Sequence, residues 1–280
     1  MRPHREVRLT TLIVDWEESF GAALRKGDPL AASSILRASG ENGWVRKAHL
    51  ERARELVDVM GPASMVRRDW ASRLLAHPRR VDKELAAILL APLARTHPAE
   101  VERAALRLAR DERWDVRESA AALLGEALDV AFDHFYRSCR TWMDKEEPRV
   151  RRCIVVAAKY AARSRLPERA GPLLDLIEPA LHDRDEYVRR NLGPFAIGDQ
   201  LLRSYPDETL ARLEKWAKDP DEVVRWNVAM AFSSATGAKL AERGLPILRE
   251  LEADESKFVA RAAKASLRRM QKRRPDVVLV

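Results

Sequence analysis

One phrase recurs along this 280-residue chain and limits what it can fold into: an acidic start, a Val-Arg pair and a run of small residues. It is fullest at Asp111-Glu112-Arg113-Trp114-Asp115-Val116-Arg117-Glu118-Ser119-Ala120-Ala121. It returns at Glu146-Glu147-Pro148-Arg149-Val150-Arg151-Arg152, at Asp185-Glu186-Tyr187-Val188-Arg189-Arg190 and at Asp221-Glu222-Val223-Val224-Arg225. A looser copy runs from Asp254 to Arg261. The valines at 116, 150, 188, 224 and 259 step by 34, 38, 36 and 35 residues. A period near 35 with no strand signal marks an array of helical repeats. A two-helix unit cannot bury its own apolar stripe, so stacked neighbours must complete the core. The predicted fold is all-α, a curved α-solenoid. Residues 1–280 read as one domain, with irregular helices over 1–97 and regular repeats over 98–280.

Apolar periodicity places helices at about 9–26, 29–38, 43–60, 62–76, 82–95 and 98–110. The repeats supply 114–128, 130–145, 148–163, 168–181, 186–203, 206–218, 221–235, 239–252 and 255–272. Asn42 is the expected cap of the helix at 43. Pro62, Pro98, Pro148 and Pro206 fall where a first helical turn tolerates proline. Pro194 falls inside a predicted helix, so a kink or break is expected near Gly193-Pro194. Val45 lies two periods before Val116, after Trp44. The unit between them, near Val81, fits the phrase poorly.

Several chemistries lack their signatures. Eleven glycines are few, and neither a phosphate-cradling Gly-rich loop nor a Gly-x-Ser-x-Gly elbow is present. The six histidines are scattered, so no metal site is expected, and no cofactor either. Cys139 and Cys153 fall in apolar helical stretches and read as buried thiols. No run of about 18 apolar residues occurs, and the first residues lack a signal-peptide pattern. A cytoplasmic monomer is the expectation.

With 51 Lys and Arg against 43 Asp and Glu, the net charge is +8. Arginines concentrate at 67–68, 79–80, 149–152, 163–169, 189–190 and 268–274. On the second helix of each unit they would line a concave face as a positive track for a duplex. The same residues have a structural use: the acid before Val-Arg can cap its helix, and Arg117, Arg151, Arg189 and Arg225 can pair with the acid of the next unit. Trp114 and Glu118 are spaced i, i+4 and share a helix face. An exposed indole there could pack on a deoxyribose, and the carboxylate could stabilise a cationic sugar.

These blocks resemble the DNA alkylation repair family of HEAT-like repeat glycosylases (AlkD-type) over about 100–235. Trp114-Asp115-Val116-Arg117-Glu118-Ser119-Ala120 is similar to the family's Trp-Asp-x-x-Asp-Ser block. Arg149-Val150-Arg151-Arg152-Cys153-Ile154-Val155 is similar to its second block and sets Arg152 on the active-site arginine. Glu186-Tyr187-Val188-Arg189-Arg190-Asn191-Leu192-Gly193 is similar to its third. The resemblance implies double-stranded DNA on the phosphate backbone and release of cationic N3- or N7-alkylated purines without metal or cofactor. It assigns Glu118 and Trp114 as catalytic, and Arg113, Arg117, Arg149, Arg152, Arg189, Arg190 and Phe195 as DNA-binding. Glu118 stands where the family has Asp, and Pro194 where it has a second Trp, with Phe195 alongside. The alternatives are a non-catalytic module for duplex or branched DNA, and a protein-interaction scaffold.

Overall fold

A computed structural model describes residues 6–42 and 44–278, with side chains from 16 to 277 except at 43. Gly43, the first residue of the third predicted helix, lies outside them, as do the side chains of Leu12 and Ile13. Among the described residues the fold is all-α, and no helix is long and apolar enough to cross a membrane. Contacts gather the chain into two compact units, 1–123 and 124–280.

The first unit holds α1 (Glu6–Arg25), α2 (Pro29–Ala38), α3 (Lys47–Met60), α4 (Ser64–Leu75), α5 (Arg80–Leu90) and α6 (Pro98–Ala109). α5 is its central element. α2, α3, α4 and α6 pack on it, and among its residues only Arg80 and Lys83 are not buried. Within α5, Asp82 is fully buried and accepts from the Ser33 hydroxyl and from Arg79 Nε at 2.8 Å, so its charge has partners. Gly61 ends α3 in the left-handed conformation, φ 57°, where a side chain would be strained. Two expectations change here. Pro62 precedes α4 rather than opening it. Asn42 does not cap α3; it sits in the left-handed region, φ 53°, and α3 starts only at Lys47. Trp44 therefore lies in a loop.

α7 (Trp114–Val130) crosses the division between the units. The second unit continues with α8 (Phe132–Lys145), α9 (Pro148–Ala161), α10 (Ala170–Ile177), α11 (Glu186–Asn191), α12 (Leu202–Ser204), α13 (Pro206–Trp216), α14 (Glu222–Ala231), α15 (Ala235–Lys239), α16 (Ala241–Glu252), α17 (Lys257–Arg273) and α18 (Pro275–Val278). It has two layers. α9, α11 with its continuation, α14 and α17 pack side by side in one, and α8, α10, α13 and α16 form the other. The repeat valines 116, 150, 188, 224 and 259 are all buried to within 1%. Each contributes roughly 1.5–3 kcal/mol by leaving water. Asp185 and Asp221 cap α11 and α14 as expected, accepting from Tyr187 N and Val223 N. Cys139 and Cys153 are buried and not joined in a disulfide.

The break expected at Gly193-Pro194 takes a specific form. α11 passes at Leu192 into a ten-residue π-helix, Leu192–Leu201. Pro194 has no N–H and its ring would clash with the carbonyl four residues back, and i→i+5 bonding widens the turn around it. The wider turn also brings residues five apart toward one face. Gly193 and Gly198 are such a pair, and both lie against α14. A Cβ at Gly193 would stand 2.7 Å from the Asn227 carbonyl oxygen, and one at Gly198 would meet that of Ala231.

Candidate nucleic-acid interface

Trp114 is the first residue of α7, and its indole is 59% exposed. The turn before it is held by its own charges. Asp111 accepts from the Arg113 amide at 2.9 Å, and Arg117 Nη1 donates to the carbonyls of Asp111 and Glu112 at 2.7 and 2.8 Å. Arg113 Nη1 donates to the Pro78 carbonyl at 2.9 Å. Both arginines thus fix the approach to α7. Glu118 follows one turn after Trp114 and is half-buried.

A second indole stands beside the first. Trp44, 49% exposed, has its ring centroid 6.3 Å from that of Trp114 at an interplanar angle of 34°. The Arg80 guanidinium lies 4.2 Å from the Trp44 centroid, a contact worth about 0.5–2 kcal/mol. Arg80 also donates to Asp115 Oδ2 at 2.9 Å and stands 3.5 Å from Glu84. Glu84 is only 4% exposed. Burial pushes its carboxyl up to about 7, and the nearby Asp115 charge adds to this, against the pull of Arg80. Two exposed indoles thus rest on a base of buried ionisable groups. Their tilted faces offer apolar area to a sugar or an unstacked base.

Periodicity marks this cluster, although the sequence offered Trp44 only as part of a repeat start and Arg80 only as part of a basic cluster, and did not single out Glu84. Trp44, Arg80 and Asp115 each immediately precede a repeat valine, at 45, 81 and 116. Equivalent positions of successive repeats are neighbours in a stack, so Trp44 meets Arg80 and Arg80 meets Asp115.

In the second unit the predicted arginines divide by what they touch. Arg151 makes a two-pronged pair with Asp183, at 2.6 and 3.2 Å, and Arg225 makes another with Asp254, at 2.6 and 2.9 Å. Both are the inter-repeat pairs expected from the phrase. Arg189, the equivalent residue between them, lies 5.6 and 5.8 Å from the centroids of Trp226 and Phe258, which stack 5.5 Å apart. Asp221, in the following unit, is occupied by His182 at 3.1 Å and Arg184 at 3.2 Å. Arg152 is 6% exposed, donates to Asn191 Oδ1 at 3.1 Å and lies 5.4 Å from the Tyr187 ring centroid. Arg190 is exposed and pairs with Glu186 at 2.6 Å. Arg149 is half-buried. Phe195, on the π-helix, is half-buried with the Lys159 ammonium 3.1 Å from its ring centroid. Trp114, Glu118, Arg113 and Arg117 thus belong to the first unit, and Arg149, Arg152, Arg189, Arg190 and Phe195 to the second.

Residues 52–195 match a family described as DNA alkylation repair enzyme, and residues 173–268 match HEAT repeats. A comparison with curated protein sequences finds no match.

Proposed function

The chain belongs to the DNA alkylation repair enzyme family, and from that premise we propose that it is a DNA glycosylase releasing cationic N3- or N7-alkylated purines from duplex DNA. The observation that carries this reading is the exposed Trp114 indole at the start of α7, with the Glu118 carboxylate one turn on. An alkylated purine already bears positive charge, so it leaves without a general acid. The C1′–N bond breaks, its electron pair neutralises the departing base, and the positive charge passes to the sugar. Glu118 stabilises that charge and orients the water that adds at C1′. Water loses its proton to bulk solvent, and the products are free base and an abasic site. Trp114 packs on the sugar, with Trp44 beside it as a second aromatic wall. Arg113, Arg117, Arg149, Arg152, Arg189 and Arg190 supply phosphate contacts, and Phe195 adds an aromatic contact. Neither metal nor cofactor takes part in this scheme.

The test is base release from methylated duplex. Wild type is expected to release 7-methylguanine, and Glu118→Gln to lose that activity by about a hundredfold or more while binding is nearly unchanged. Release by the variant at the wild-type rate would remove Glu118 from the reaction. Binding by wild type with no release of any alkylated base would make the chain a non-catalytic DNA-binding repeat protein.

A further inference from the structure

α17 carries more cations than any other helix of its layer. Its sequence, Lys-Phe-Val-Ala-Arg-Ala-Ala-Lys-Ala-Ser-Leu-Arg-Arg-Met-Gln-Lys-Arg, contains no acid. Val259, Ala262, Ala263, Ser266, Leu267 and Met270 form its buried side, toward α14 and α16. Lys257, Arg261, Lys264, Arg268 and Lys272 recur at steps of three and four, which puts them on one stripe opposite that side. All five are exposed. The stripe covers four turns and about 22 Å.

Among the described residues, no ion pair or hydrogen bond involves these five side chains. The contrast with Arg151 and Arg225, each locked on a carboxylate, is complete. A solvated outer face needs polarity, but mixed signs would supply it at lower energy. Like charges at i, i+4 repel by a few tenths of a kcal/mol each, and Lys257 adds a cation at the positive end of the helix dipole. This arrangement is unfavourable in the isolated chain and is relieved by an anion. A duplex presents one negative charge per roughly 1.7 Å of its axis, which suits a long single-sign stripe with no acceptor of its own.

We propose that the outward stripe of α17 is an additional contact for the phosphate backbone of duplex DNA, lying beyond residues 52–195 of the family match. It deepens the DNA-binding reading and is independent of the chemistry assigned to Glu118. The experiment uses the full chain and a labelled, unmodified duplex, with affinity measured against salt. Lys257→Gln/Arg261→Gln/Lys264→Gln/Arg268→Gln should lower the slope of log K against log salt by about 3–4, near 0.9 per lost contact, and weaken binding at 0.1 M salt by about a hundred- to a thousandfold. Base release at saturating substrate should stay as in wild type, and the melting temperature should not fall, since the substitutions relieve repulsion along the stripe. The double variant Arg261→Gln/Lys264→Gln should show half the change in slope. A control removes equal charge from exposed, ion-paired sites: Arg203→Gln/Lys215→Gln/Arg243→Gln/Arg249→Gln. An unchanged slope in the α17 variants overturns the proposal, as does an equal fall in the control, which would reduce the effect to net charge. Duplex affinity unmoved while adhesion to anionic phospholipid vesicles is lost would overturn it too. Loss of release in Glu118→Gln with the slope intact would leave the catalytic reading standing, whatever α17 does.

Discussion

Around the start of α7, Arg80 is held by an indole and two carboxylates, and Arg113 and Arg117 lie on backbone carbonyls. Along α17, Lys257, Arg261, Lys264, Arg268 and Lys272 face solvent with no carboxylate against them among the described residues. Both regions are rich in cations, yet at the first Arg80 is already paired with carboxylates beneath the aromatic surface, and along the second, among the described residues, no cation is. The difference teaches that the number of arginines does not locate a polyanion site. What counts is whether each guanidinium has already been neutralised from within.

The largest effect should come from the buried carboxyl beneath the aromatic pair. Glu84 has its pKa raised from 4.5 to about 7. A raised carboxyl binds its proton more tightly in the folded state, so its contribution to stability is complete below about pH 4.5 and lost as pH rises through 7. By this group alone the protein should lose about 3 kcal/mol between those limits. Glu84→Gln, neutral throughout, should remove that slope and be the more stable form at pH 8. Urea titrations at pH 5 and 8 measure this, and equal slopes in the two proteins would break the account of the cluster.

Next in size is the paired arginine of the second unit. Arg225→Met removes two charge-assisted hydrogen bonds to Asp254 and should cost about 2 kcal/mol. The Arg225 guanidinium also holds the Asp254 carboxyl below its usual range, so the variant should lose less stability than wild type on acidification. Arg261→Met, on the unpaired stripe, should change stability by less than about 0.5 kcal/mol. Comparable losses from the two variants would erase the distinction between spent and available cations.

Trp44→Ala should weaken binding to lesion-bearing duplex by about 1 kcal/mol, the scale of one aromatic stack, and leave the salt slope unchanged because an indole carries no charge. A change in slope would mean that the variant had disturbed Arg80. Smallest of all, Arg190→Gln breaks a solvent-exposed i, i+4 pair with Glu186 and should cost about 0.3–0.5 kcal/mol in denaturant titrations.

The sequence by itself determined the repeat. Val116, Val150, Val188, Val224 and Val259 could only be buried if equivalent positions stacked, and the acids before them could only serve as caps if helices began there. It also pointed to Trp114, whose exposure follows from its place in a first turn. Tertiary structure decided the rest. The packing of the π-helix around Pro194 on α14 and the partners of Arg80, Arg151, Arg189 and Arg225 depend on residues about one repeat away. Arg151, Arg189 and Arg225 occupy one position of the phrase, yet the first and last meet carboxylates and Arg189 meets rings. Local sequence sets which helix a charge sits on, whereas its neutralisation is a contact between repeats. That is why the unpaired stripe of α17 could be counted in the sequence but recognised only in the fold.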